Sequence, residues 1–121
     1  MTIRDRAGKL QEFITSGKII EAMNEFYDKD VAMQENAGAP TVGLAPNIER
    51  EKRFLAQVRT WKGYTVKSLA VDEASGVAAV EAVMEFVNTQ GQDIRAEQVG
   101  VQRWKNGRIV HERFYYDTGK N

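Results

Sequence analysis

Glu35 closes a short alternating segment in which Val31, Met33 and Glu35 fall on one side and Ala32, Gln34 and Asn36 on the other. A carboxylate at the end of a mostly apolar strand face loses hydration, and no sequence neighbour restores it, because no Lys or Arg occurs between Asp30 and Glu49. In such a setting the charged form of a carboxyl is disfavoured, and the group moves toward the range in which it can take a proton from a carbon beside a carbonyl. A solvated strand-end glutamate beside a glycine-rich loop would give the same pattern. That loop is the stretch 37–45, punctuated by Gly38, Pro40 and Gly43 and long for so compact a chain. The remaining reactive inventory is narrow. The chain has no Cys and a single His, His111, which excludes disulfides, cysteine nucleophiles, thiolate metal sites and multi-histidine centres. Trp61 and Trp104 stand at helical and strand spacing and read as core residues. The Arg residues from Arg95 to Arg113 alternate with Glu97 and Glu112, which suits cross-strand ion pairs better than a groove for a polyanion.

Composition restricts the function classes further. In 121 residues, 17 Lys plus Arg balance 17 Asp plus Glu, and no like-charge block could follow a phosphate backbone or an anionic bilayer. No nucleic-acid or membrane partner is therefore expected. With 42% hydrophobic residues and two Pro the chain can bury a real core, and its size suits one domain. Its first residues lack an apolar signal core, and no stretch approaches the ~20 apolar residues of a membrane span, so a soluble cytoplasmic protein is expected.

The elements that must position these side chains follow from periodicity. Thr2-Ile3-Arg4-Asp5 matches a capping box, and Ile3, Ala7, Leu10 and Ile14 follow at helical spacing to about Ser16. Gly17 breaks that helix. Ile19, Ile20, Met23, Phe26 and Tyr27 then define a second, shorter one. After the strand ending at Glu35 and its loop, Pro46 opens a third helix running to Thr60, with an apolar stripe of Ile48, Phe54, Leu55, Val58 and Trp61. An antiparallel meander is predicted beyond it: Tyr64–Val71, Val77–Asn88, Ile94–Trp104 and Ile109–Asp117. Asn106-Gly107 is the strongest of its hairpin signals. The strand Val77–Asn88 poses a conflict. Ala78, Val80, Ala82, Met84 and Phe86 form an uninterrupted apolar face that amphipathicity would bury, with Glu81 and Glu85 outside. Helices first and long strands after argue an α+β domain over residues 1–117 with a frayed tail at 118–121.

The segments Phe26-Tyr27-Asp28-Lys29-Asp30-Val31 and Trp104-Lys105-Asn106-Gly107-Arg108-Ile109-Val110, closing in Tyr115-Tyr116-Asp117, resemble the nuclear-transport-factor-two-like superfamily, and within it the SnoaL-like branch of ketosteroid isomerase and polyketide cyclase relatives. The resemblance implies a cystatin-like cone, in which a highly curved antiparallel sheet wraps over three helices and encloses a cavity. It also implies frequent dimerisation through the outer sheet face, where Arg113, Tyr115 and His111 would project. Its members include isomerases, cyclases, epoxide hydrolases, dehydratases and non-catalytic binding modules, so the fold alone does not select a reaction. Alignment with ketosteroid isomerases places Glu35 at their proton-abstracting aspartate, but their enolate-stabilising tyrosine and aspartate fall on Gln11 and Gly100, which disfavours that reaction. Limonene epoxide hydrolases would need their arginine at Glu81 and their two aspartates at Val83 and Phe114, so that mechanism is also disfavoured. Their alignment would turn Glu81 and Val83 inward and leave Met84 and Phe86 for a dimer contact. SnoaL-like cyclases carry a histidine and an aspartate where this chain has Glu112 and Phe114. His111 lies one residue off that face, and strand alternation sends it to the opposite side.

The resemblance and the residues together name Glu35 and Glu112 as candidate bases. Gln98, Tyr116, Phe114, Met33 and Gln11 are the candidate ligand-binding residues. The expected partner is a hydrophobic carbonyl-containing or polycyclic small molecule, with a homodimer as the expected assembly. No metal or cofactor is called for. The expected reaction, if there is one, is a cofactor-independent isomerisation, cyclisation or dehydration by proton transfer. The alternative is a non-catalytic ligand-binding or dimerisation module of the same fold.

Overall fold

A computed structural model describes residues 1–119; positions 120 and 121 of the expected tail lie outside the described residues. Helix α1 (Ile3–Thr15) begins in the capping box expected of it, with Thr2 and Asp5 each donating a backbone N–H to the other's side chain. Its next two free amides, of Ile3 and Arg4, donate to the carboxylate of Glu73, a cap supplied from a distant turn. Gly17, at φ 78°, ends the helix as predicted. Helix α2 (Ile19–Phe26) then returns against α1, and Phe13 meets Phe26 edge to face at 5.3 Å.

Six strands follow the order β2-β1-β6-β5-β4-β3 in one sheet. They are β1 (Tyr27–Glu35), β2 (Thr41–Val42), β3 (Val58–Asp72), β4 (Val77–Asn88), β5 (Asp93–Lys105) and β6 (Arg108–Tyr115), and helix α3 (Leu44–Leu55) stands between β2 and β3. Every pairing is antiparallel except that of β1 with β6. The turn Asn106-Gly107 joins β5 to β6 with φ 53° and 78°, the two positive values a tight hairpin of this kind requires. Register shifts in β3, one of them at Gly63, and others in β1 and between β5 and β6 bend the sheet over the helices. This is the α+β cone that was expected. The core joins Ala7, Leu10, Met23 and Phe26 of the helices to Val31, Ala78, Trp104 and Ile109 of the sheet.

Three expectations need correction. The third helix starts at Leu44 and stops at Leu55, so Val58 and Trp61 belong to β3 and not to a helical stripe. The reason is cross-strand pairing: β4 runs to Asn88, and its last residues take Val58, Thr60 and Trp61 as partners. The loop 37–45 contains the two-residue strand β2, which covers the edge of β1 through Ala32↔Val42 and Met33↔Thr41. On β4, Ala78, Val80, Ala82 and Phe86 are buried while Glu81 and Glu85 are exposed, so the alignment that turned Glu81 inward is overturned and amphipathicity prevails. No helix among the described residues is long and apolar enough to cross a membrane.

Candidate functional site

The cone encloses a cavity of about 440 Å³ between the concave face of the sheet and the three helices. Period-two alternation brings Gln98, Gly100 and Gln102 of β5 and Glu112 and Phe114 of β6 to it, with Val80 and Met84 of β4 and Met33 of β1. Helical periodicity adds Leu10, Gln11 and Ile14 of α1 and Asn47, Glu51 and Phe54 of α3. Trp61 lines it as well, stacked on Phe86 at 6.5 Å.

Its most enclosed carboxyl is that of Glu112, 3% exposed. The Tyr27 hydroxyl hydrogen-bonds one oxygen, and the Gln102 Nε2 donates to the other at 3.1 Å. Gln102 in turn accepts from the indole Nε1–H of Trp104 at 3.1 Å. Burial pushes Glu112 up to about 7, against the pull of its bonds from Tyr27 and Gln102, and the carboxyl of Glu51 adds to the rise. Burial and then the Glu112 charge push the Tyr27 phenol well above its ordinary range. Tyr64 is raised for the same two reasons, and its hydroxyl donates to the Gln11 Oε1 at 2.7 Å.

Glu35 lies elsewhere than its sequence context suggested. It lines the mouth of the cavity with its side chain 46% exposed, and Arg50 bonds it at 2.7 Å. The apolar, cation-free setting expected for it is therefore corrected: the fold brings in a guanidinium from α3, one residue beyond the stretch that lacks Lys and Arg. Tyr116 follows the last residue of β6, so strand alternation no longer directs it inward. It stands beside Glu35 outside the cavity lining, its phenol raised by partial burial first and the neighbouring carboxylate next. Met33, Gln98, Gln11 and Phe114 line the cavity with Glu112, and His111 does not.

Gly100 has a steric reason. A Cβ there would press the Phe114 ring at 3.3 Å and reach to 3.8 Å from the Oε2 of Glu112, so the absence of a side chain keeps the carboxyl's surroundings open. Sequence reasoning missed Tyr64, Gln102, Asn47, Arg50 and Glu51 as cavity residues and treated Tyr27 only as part of a fold motif. The family resemblance named Gln98, and strand alternation from it selects Gln102 as well. The pairing of Tyr27 with Glu112 spans 85 residues and has no local signal.

No family model matches the chain, and no curated protein matches it in sequence. Solved structures do resemble it. A provisionally assigned SnoaL-like polyketide cyclase from Mesorhizobium loti superposes with a TM-score of 0.85 at 23% identity, over 96% of this chain and 100% of the other. A provisionally assigned isomerase from Bacillus subtilis gives 0.82 at 15%, over 97% and 90%. A nuclear-transport-factor-two-like protein of unknown function from Burkholderia pseudomallei gives 0.82 at 14%, over 97% and 92%. The chain has the SnoaL-like, nuclear-transport-factor-two-like fold.

Proposed function

We propose that the cavity binds a hydrophobic carbonyl-containing small molecule and moves a proton on it without a cofactor, in an isomerisation, cyclisation or dehydration, with Glu112 as the acid–base group. One observation carries the reading: a buried carboxyl, held by Tyr27 and Gln102, lines a cavity whose walls combine apolar side chains such as Leu10, Met84 and Phe114 with amides such as Gln11 and Gln98. Near pH 7 this carboxyl is populated in both forms, so it can remove a proton from a carbon beside a carbonyl and return it to another atom. Gln98, whose amide lies on the same strand face, is the group that orients the carbonyl oxygen. Glu35 is tied to Arg50 at the mouth and takes no part in the chemical step. The structural neighbours provisionally assigned as a cyclase and an isomerase are consistent with this class.

The test is exchange of the acidic α-protons of 2-tetralone, a bicyclic ketone small enough for the cavity, followed by NMR in deuterated water. Wild type should exchange them above the buffer rate. Glu112→Gln should lower that rate by about 100-fold with binding retained, because the amide keeps the shape and loses the proton acceptor. Glu35→Gln should change it only a few-fold. Binding of 2-tetralone with exchange at the buffer rate in wild type would instead make this a binding module.

A further inference from the structure

Helix α3 places at the cavity two residues that each carry a polar group with no hydrogen-bond partner among the described residues. Asn47 is 2% exposed, and its Nδ2 donates to three backbone carbonyls, those of Gly43 at 2.8 Å, Thr41 at 2.9 Å and Val31 at 3.4 Å. Carbonyls only accept, so the amide orientation is determined and its Oδ1 must be the acceptor. That Oδ1 is buried without a partner among the described residues. Buried polar atoms are nearly always hydrogen-bonded, so an orphaned acceptor at a cavity wall points to something that fills the cavity.

Glu51 stands one helical turn further along the same face and lines the same cavity. No hydrogen bond or ion pair reaches its carboxyl among the described residues, and burial is the main influence on it. Arg50, which would help to hold it ionised, is bonded to Glu35. Phe54 and Trp61 line the cavity with these two groups.

From this placement we propose that Asn47 and Glu51 form a subsite for a protonated amine, so that the ligand is a hydrophobic carbonyl compound that also carries a basic nitrogen. The inference rests on the cavity being the ligand site, but it needs no turnover. An ammonium group has three donors and no acceptor, which suits an orphaned amide oxygen and a carboxylate. A hydroxyl would satisfy Asn47 and leave the partly buried Glu51 carboxylate with only Arg50, already bonded to Glu35, as a nearby cation. Aromatic faces nearby favour the cation further.

Calorimetry with three matched bicyclic probes, 2-aminotetralin, 2-tetralol and 2-tetralone, decides the question. The amine should bind wild type at least about tenfold more tightly than the alcohol, as expected of a charge-assisted bond. Glu51→Gln should abolish that preference, and Glu112→Gln should retain it. Equal affinity for amine and alcohol, a preference that survives Glu51→Gln, or one lost in Glu112→Gln would each overturn the subsite. Should Glu51→Gln fail to fold, intermolecular NOEs from the amine-bearing carbon of 2-aminotetralin on wild type decide: to Asn47 and Glu51 they support the subsite, to the Tyr27 ring they reject it. Because these readouts are binding alone, an amine preference without 2-tetralone exchange would sink the proton-transfer reading and keep this one, and the reverse result would do the opposite.

Discussion

The indole Nε1–H of Trp104 donates to the Oε1 of Gln102, two residues back on β5. An indole nitrogen can only donate, so the Gln102 amide has to turn its Nε2 toward Glu112, where it too can only donate. Of the two protein groups bonded to the Glu112 carboxyl, the Tyr27 oxygen is therefore the one able to accept its proton. Trp104 thus acts through Gln102 as a positioning residue, and it leaves Glu112 to exchange its proton with Tyr27 or with whatever occupies the cavity.

Tyr27→Phe should move the pH dependence of 2-tetralone exchange upward. The Tyr27 hydrogen bond opposes burial in setting the affinity of Glu112 for its proton, so removing it leaves the carboxyl protonated to higher pH. The rate, which requires the ionised base, should then rise through a midpoint above the wild-type position near 7. A merely structural role for Tyr27 would lower the rate without moving the midpoint.

Most of the architecture was readable because its signals are local. Thr2 and Asp5 cap α1 within one turn, Gly17 ends it, and the predicted bounds of the strand Val77–Asn88 match β4 residue for residue. The start of β3 was hidden because Phe54, Leu55, Val58 and Trp61 keep a helical spacing, and only the long pairing with β4 shows that the helix has ended. The site was legible in part. The family resemblance placed Gln98, Glu112 and Phe114 at the cavity, whereas the setting expected for Glu35 was overturned. Glu35 looked apolar until α3 delivered Arg50, and the alternative of an ion pair for Glu112 falls because alternation turns the neighbouring Arg113 to the other face, where it bonds the Asn36 carbonyl.

Gly107→Ala should lower stability by about 1 kcal/mol or somewhat more, read as a lower urea midpoint with an unchanged slope. Gly107 sits at φ 78°, a left-handed value that a Cβ disfavours. The space is not the obstacle, because that Cβ would meet only Arg6, at 3.6 Å and beyond. An alanine variant of wild-type stability would show that the turn relaxes to another geometry.

Assembly through the outer sheet face predicts a dimer in light scattering at micromolar concentration. Val99 and Tyr115 are cross-strand partners on that face and are 38% and 43% exposed, large apolar side chains adjacent to one another. Val99→Glu should halve the observed mass while leaving the circular dichroism unchanged, since the new charge would be buried only in the pair. A monomeric wild type would remove this expectation.

Glu112 should also impose a pH dependence on folding. In the folded chain it keeps its proton to about 7, whereas an ordinary glutamate releases it near 4.5. Between those values the folded state binds more protons than the unfolded state, so stability falls as pH rises. This contribution is whole below about 4.5, declines through the window and is fully lost above about 7, a change on the order of 3 kcal/mol. Glu51 is raised by burial as well and adds a slope of the same sign. Asp5, Asp72 and Asp93 are held below the usual 3.8, by hydrogen bonds from the Thr2 backbone, Ser75 and Lys62 respectively, and act only at more acid pH. Glu112→Gln presents a neutral amide that can accept from Gln102 and donate to the Tyr27 oxygen, as the protonated acid does. Thermal unfolding should therefore show the two proteins alike near pH 4.5 and the variant more stable at pH 8, by a margin on the order of 10 °C, with only the Glu51 slope remaining. A wild type that gains stability between pH 5 and 8 would mean that Glu112 is ionised in the fold, and the acid–base role assigned to it would fall with that result.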